Sequence, residues 1–319
     1  MHRIGIVGLG HLGEIHLKQW LEIVPKENIA CFDSDNEKLD SISKAYQIER
    51  VASYEELLER SDIIDIVTPT NFHFALAELG LLQKKHLFIE KPVCQSVSQV
   101  DKLIELQKLS NTLVQVGHVE RYNPAFMSVE SSISNPRFFE VHRLAPFVSR
   151  GTEVSVIMDL MIHDLDIILH LVSSDIKNIY ANGVGIVSKT PDIANVRLEF
   201  ENGCIANLTS SRISMKRMRK MRIFSNQGYV SIDFLEKNSE IINIIDANEN
   251  SEGLLFTTHE GIEKKLEQKE YRKMDKNAIH AELNDFFSRI IEKKNDTAVN
   301  LLSARKTLAL AEKIQDLIA

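Results

Sequence analysis

The sequence predicts an α/β protein in two parts: a doubly wound parallel sheet, then an α+β domain with an open, largely antiparallel sheet. Three observations carry this expectation. From residue 3 to about 120, short apolar runs rich in β-branched residues alternate with stretches of helical periodicity, the rhythm of parallel strands joined by crossover helices. After "RYNPAF" at 121–126 the rhythm changes to one or two helices and then several longer strands in succession. At 319 residues the chain is long enough for two cores of ordinary size. The expected boundary falls between residues 120 and 121, with 121–319 as the second domain and its last helix free to pack back on the first.

In the first part the strand patterns are "RIGIVGLG", "NIACFDSD", "RVAS", "IIDIVTPT", "HLFIEKP" and "LVQVGH". Runs as uniformly apolar as "IIDIV" suit a sheet covered on both faces. Between them "HLGEIHLKQWLEIV", "NEKLDSISKAY", "SYEELLERS", "FHFALAELGLLQK" and "SVSQVDKLIELQKL" carry apolar residues at helical spacing. In the second part the strands are "FFEVHRLAPF", "IKNIYANGVGIV", "ANVRLEFENGCIANLTSSRIS", "MRKMRIFSNQGYVSIDF" and "EIINIIDA". Asn202 and Gly203 lie between two of these patterns, a strong hairpin signal, and "SNQGYV" is a weaker one. Two helical patterns, "NAIHAELNDFFSRIIEKKN" and "NLLSARKTLALAEKIQDLIA", close the chain.

Hydrophobic content of 44%, charged content of 26% and 13 glycines describe an ordinary globular chain, with no collagen-like or low-complexity segment. A net charge of -7 argues against general affinity for nucleic acid or anionic membranes. Three cysteines without a CxxC pair imply neither a zinc knuckle nor a disulfide framework, which fits a reducing compartment. "MHRIGIVGLG" lacks the basic start and longer apolar run of a signal peptide, and no apolar run approaches membrane-spanning length. The expectation is a cytoplasmic protein with no nucleic-acid or membrane partner.

Gly8, Gly10 and Gly13 follow the first strand and open a helix. The first glycine permits a tight turn, the second lets backbone approach a pyrophosphate, and the third lets helix and strand pack closely, so His11 and Leu12 sit at a positive helix N-terminus. Asp33 ends the next strand about twenty residues on, where a carboxylate accepts hydrogen bonds from an adenosine ribose. This is the fingerprint of a Rossmann domain. No Arg or Lys follows Asp33 immediately to receive a 2'-phosphate, which favours NAD over NADP, although Lys38 keeps NADP in play.

Glu90, Lys91 and Pro92 stand at the carboxyl end of a strand, the edge where open α/β sheets bind ligands. A partly buried lysine there is a candidate proton donor or acceptor. Pro69, Asn71 and His73 end the preceding strand at the same edge and are candidates to line a cofactor channel. Further on, "MDLMIHDLDIILHL" carries Asp159, His163, Asp166 and His170 at steps of four, three and four, one stripe on a helix of 3.6 residues per turn. Three readings fit: a solvated face, a zinc or iron site, or a His oriented by a carboxylate for proton transfer.

The glycine loop, "EKP" at 90–92 and "DLMIHD" at 159–164, in that order, resemble the Gfo/Idh/MocA family of oxidoreductases over essentially the whole chain. The resemblance implies a Rossmann domain followed by an α/β domain whose open sheet mediates a homodimer or homotetramer, acting on sugars and cyclitols without a metal. It implies that Lys91, Asp159 and His163 are catalytic: His163 as general base, Asp159 orienting it, Lys91 on the reacting oxygen. Asp166 and His170 would continue the stripe toward water or a domain contact. Arg121, Tyr122 and Asn123 resemble the family segment that lines the substrate cleft, whereas His118 and Glu120 depart from its usual phenylalanine and arginine.

"SSRISMKRMRKMRIF" gathers Arg212, Lys216, Arg217, Arg219, Lys220 and Arg222 in an otherwise acidic chain. It reads either as a basic strand edge or as a clamp for an anionic substrate, with Arg212 and Lys216 as the contacts. Together with the 121–123 stretch it resembles a branch that oxidises UDP-N-acetylglucosamine at C3. The alternatives are an inositol or free-sugar dehydrogenase and, in another class, a non-catalytic NAD-binding regulator. The simultaneous presence of Lys91, Asp159 and His163 argues against the last.

Overall fold

A computed structural model describes residues 2–148, 154–247, 253–272 and 275–318. It divides into two compact units, Met1–Val119 with Ala278–Ala309, and Glu120–Asn277 with Leu310–Ala319. The tail is therefore shared: Ala278–Ala309 joins the first unit, where the expectation let only the last helix pack back on it. Among the described residues no helix is long and apolar enough to cross a membrane.

The first unit holds a six-stranded, all-parallel sheet of β1 (Ile4–Val7), β2 (Ile29–Phe32), β3 (Glu49–Arg50), β4 (Ile63–Ile66), β5 (His86–Glu90) and β6 (Val114–Gly117). Its order, β3-β2-β1-β4-β5-β6, reverses direction between β1 and β4. That reversal opens a crevice at the carboxyl ends of the strands. The crossovers are α1 (His11–Ile23), α2 (Asn36–Tyr46), α3 (Tyr54–Arg60), α4 (Thr70–Leu82) and α5 (Val97–Ser110). Their starts follow local chemistry: Asp35 and Ser53 accept from backbone N–H groups three residues on and cap α2 and α3. Ile4, Ile6, Leu17, Trp20 and Phe88 are fully buried in one cluster, joined by Leu283 and Phe286 of α8 (Ala278–Ile291). Each such side chain contributes roughly 1.5–3 kcal/mol by leaving water.

The second unit is a nine-stranded sheet with helices on one face. Its strands are β7 (Phe138–Leu144), β8 (Ile176–Val184), β9 (Ile193–Phe200), β10 (Ile205–Ser211), β11 (Met218–Ser225), β12 (Gly228–Asp233), β13 (Asn238–Asp246), β14 (Leu254–Thr257) and β15 (Glu263–Tyr271). The order is β14-β15-β13-β12-β11-β7-β10-β9-β8, and among the described residues of this sheet only β7 and β10 pair in parallel. Alternate residues Ala194, Val196, Leu198 and Phe200 of β9 are buried, the period-two signature of a half-covered sheet. The expected hairpin is there: Gly203 takes φ +81°, and the Asn202 side chain accepts from the Cys204 N–H. Strands β14 and β15 escaped the sequence reading: "EKKLEQKEY" of β15 is nearly all polar and shows no apolar alternation, and "LLFT" of β14 is only four residues long.

The covering helices are the short α6 (Pro124–Met127), α7 (Ile162–Leu171) and the end of α9 (Leu301–Ile318). Phe126, Leu165, Ile168 and Ile314 pack with the strand residues Phe139, Leu198 and Ile223 in one core. The single helix expected over 158–171 is in fact composite: Ile157–Met161 forms a π turn and α7 follows it. Wider i→i+5 turns of this kind recur at functional sites, and the stripe predicted from a uniform 3.6-residue period is broken where it begins.

Candidate functional site

The glycine loop lies at the crevice edge of the first unit. Gly8 takes φ +94°, and a Cβ there would stand 2.8 Å from the Thr68 nitrogen. A Cβ on Gly13 would stand 1.9 Å from the Gly8 carbonyl oxygen, so only glycine lets α1 start this close to the loop. At Gly10 a Cβ would meet no heavy atom of the described residues within 4 Å. The backbone there faces open space, and no side chain caps α1, so the N–H groups at His11 and Leu12 remain available to an anion. Asp33 pins the loop from the next strand: its Oδ2 accepts from Leu9 N–H at 2.6 Å and its Oδ1 from Asp35 N–H at 2.9 Å. Lys38 Nζ lies 3.8 Å from both the Asp33 and the Asp35 carboxylates. Open backbone, an uncapped helix start and a carboxylate beside them fit a dinucleotide.

At the ends of β4 and β5, Pro69 is the N-cap of α4 and Asn71 is exposed in its first turn. His73, expected to line a channel, is buried instead, with its ring nitrogens 2.7 Å from the Thr68 and 3.0 Å from the Pro92 carbonyl oxygens. Burial holds the ring below the ordinary histidine range, backbone partners opposing it only in part, and the neutral ring this favours can donate to one of the two oxygens. Lys91, half-buried, precedes Pro92 through a cis peptide. Glu90, expected at the cofactor, turns its carboxylate inward: Oε2 accepts from Lys91 N–H at 3.0 Å, and Oε1 lies 3.2 Å from His16 Nε2.

In the second unit Asp159 is exposed on the π turn and His163 is half-buried on the first turn of α7. The rest of the stripe meets the expectation only at the exposed His170. Asp166 does not continue toward water; it is buried and accepts two hydrogen bonds from Arg121, 2.6 Å from Nε and 2.9 Å from Nη2. His170 Nε2 is 2.6 Å from Glu130 Oε1 at the surface. Asp166 and His170 are thus engaged by partners outside the stripe.

Sequence reasoning missed the group beside them. Asp164, directly after His163, receives Nε and Nη2 of Arg143, and Arg143 Nη1 reaches Glu120 Oε1, all at 2.8 Å. The signal was present: Phe139, Val141 and Arg143 share the buried parity of β7, and a core-facing arginine demands a buried anion. Burial opposes the Arg143 charge, yet Asp164 and Glu120 hold it firmly protonated. Glu120, which departs from the family's usual arginine, is this counter-charge.

Three residues expected as substrate contacts have protein partners in this geometry. Arg121 is taken up by Asp166. Asn123 caps α6 through its Oδ1 and donates to Glu120 and the Phe234 carbonyl through its Nδ2. Arg212 is buried, donating to the Val154 carbonyl beside the Asp192 carboxylate. Tyr122 is buried as well. In the basic segment, Arg219, Lys220 and Arg222 lie opposite Glu120, Asp233 and Glu140 at 3.3–3.6 Å, while Lys216 and Arg217 are exposed between β10 and β11.

Known proteins match this architecture. Residues 2–118 match the family described as "Oxidoreductase family, NAD-binding Rossmann fold", and residues 125–231 match "GFO/IDH/MocA C-terminal domain". UDP-N-acetylglucosamine 3-dehydrogenase of Acidithiobacillus ferrooxidans is 35% identical over 240 residues, 75% of this chain and 76% of that one. Its solved structure superposes with a TM-score of 0.89 at 30% identity, covering 99% of this chain and 97% of that one. Myo-inositol 2-dehydrogenase of Thermotoga maritima is 24% identical over 273 residues, 80% of this chain and 82% of that one. The chain belongs to the GFO/IDH/MocA oxidoreductase family and is an NAD-dependent dehydrogenase acting on a CH–OH group.

Proposed function

We propose that the enzyme oxidises a secondary hydroxyl of a sugar, with UDP-N-acetylglucosamine at C3 as the substrate. The observation that carries the reading is likeness along the whole chain to the Acidithiobacillus ferrooxidans enzyme, at a TM-score of 0.89 and 30% identity. Gly8, Gly10, His11, Leu12, Gly13 and Asp33 hold the dinucleotide, and bound NAD supplies the hydride acceptor. His163 takes the hydroxyl proton as hydride leaves the carbon, so the C–O bond becomes a carbonyl. Asp159 orients the imidazole and stabilises its charged form. Lys91 donates a hydrogen bond to the reacting oxygen. Lys216 and Arg217, exposed and cationic, suit the diphosphate of the substrate, the role expected of Arg212 and Lys216. Self-association through the open sheet and a cytoplasmic setting complete the reading.

A second reading, an inositol or free-sugar dehydrogenase, is favoured by the pairing of most of the basic segment with carboxylates. Absorbance at 340 nm separates the two, with NAD and a panel of UDP-N-acetylglucosamine, UDP-glucose, glucose and inositol. NADH formed only with a UDP-sugar supports the proposal, and NADH formed only with inositol or free glucose overturns the substrate.

A further inference from the structure

Under the glycine loop and the Glu90–Lys91 corner lies a charged group that neither the fold nor the chemistry above has used. His16 of α1 and Asp65 of β4 are both completely buried. Asp65 Oδ2 lies 2.9 Å from His16 Nδ1 and accepts from Trp20 Nε1 at 2.8 Å. On the other side of the ring, His16 Nε2 lies 3.2 Å from Glu90 Oε1, an ionic contact. Phe88 closes the ring edge-on with centroids 5.6 Å apart. Gly117, paired with Glu90 across β5 and β6, leaves the room: a Cβ there would stand 2.6 Å from Glu90 Oε1.

An ionised carboxylate only accepts, so a ring with a carboxylate at each nitrogen is best served as an imidazolium. Burial pulls the His16 titration down, but Asp65 and Glu90 outweigh it and push it up to about 10. The charged groups facing the ring are Asp65 from β4 and Glu90 from β5, with Lys91 next along the chain acting on Glu90. Such clusters add little to stability, since well-packed apolar residues usually serve a core as well or better. Their use lies in fixing geometry. Glu90 is the link, because its second oxygen accepts the Lys91 N–H.

We propose that His16 is a positioning residue for dehydrogenation: bridging Asp65 and Glu90, it fixes the carboxylate that holds the Lys91 backbone at the strand end. The inference rests on the reading of Lys91 as the residue that touches the reacting oxygen. Its chemistry is indirect, for His16 acts through Glu90 and never meets substrate.

The test uses His16→Leu/Asp65→Asn, which removes one positive and one negative charge together and leaves Trp20 an acceptor. Thermal unfolding, NADH affinity by fluorescence, and kcat with the panel sugar that yields NADH are measured beside wild type, His16→Gln and Lys91→Ala. The double variant is expected to fold and bind NADH as wild type does, and to lose kcat by about 10- to 100-fold, the scale of a small misplacement of a reacting group. His16→Gln, whose amide can still donate to Glu90, is expected to regain much of that loss. Wild-type kcat in the double variant with Lys91→Ala inactive overturns the role of His16 and leaves the lysine standing. Wild-type kcat in Lys91→Ala overturns both. Should the double variant fail to fold, Glu90→Gln replaces it: reduced kcat at unchanged NADH affinity supports the inference, and unchanged kcat overturns it.

Discussion

Arg143 grips Asp164 through two parallel hydrogen bonds of 2.8 Å, with both side chains 3% exposed, one residue beyond His163. The grip ties the first turn of α7 to the centre of the sheet. Its third arm, to Glu120, brings in the segment that leads to α6.

Cutting that grip strands buried charge. Arg143→Met takes the bidentate partner from Asp164 and leaves Glu120 with only the more distant Arg219 as a counter-charge, and we expect a loss of about 3–5 kcal/mol in guanidinium chloride unfolding, the usual cost of breaking a buried pair from one side. Arg143→Met/Asp164→Leu recovers part of it. A loss well below about 1 kcal/mol in the single variant would mean the cluster is solvated.

Two glycines of one loop make opposite demands. Gly13→Ala forces a Cβ against the Gly8 carbonyl and should destabilise the fold by about 1–3 kcal/mol. Gly10→Ala meets nothing, so stability holds while NADH affinity falls, because the added methyl occupies the open space assigned to phosphate. Thermal unfolding and fluorescence titration read the two effects separately, and equal behaviour of both variants would contradict the assignment.

Asp33 holds the Leu9 N–H and, in the function proposed, also faces the ribose. Asp33→Ala removes charge-assisted bonds worth about 1.5–3 kcal/mol each, and NADH binding should weaken by at least tenfold, about 1.4 kcal/mol. Unchanged affinity in the titration would place the adenosine elsewhere.

His16 gives stability a pH dependence of known sign. The unfolded ring titrates near 6.5 and the folded ring near 10, so below 6.5 both states hold the proton and the contribution is complete. As pH rises toward 10 only the native state keeps it, and stability falls by up to about 1.4 kcal/mol per pH unit. Denaturant midpoints of wild type and His16→Gln from pH 6 to 10 should converge with rising pH; parallel curves would show a ring that is neutral in the fold.

Much of this was legible in the sequence where a residue type is demanded by its own backbone. Gly8 and Gly13 announce a loop that only glycine can make, and the alternation in β9 announces a one-faced sheet. What stayed hidden are partnerships across the chain. Arg143 and Asp164 are 21 residues apart, and His16 and Asp65 are 49; nothing local says which buried charge answers which. Nor does the sequence tell an arginine paired with a carboxylate, as Arg121 is with Asp166, from one held for phosphate. The π turn was invisible for another reason: Ile157–Met161 carries a sequence that an α-helix would accept equally well.

The measurement closest to the central claim compares His163→Ala with wild type in NADH production and NADH binding. Proton transfer by a placed base contributes about 10²–10⁴-fold. Turnover should therefore fall on that scale while NADH affinity stays at the wild-type value. Undiminished turnover would contradict the assignment of His163 as the base, and with it the functional reading of the helix on which it stands.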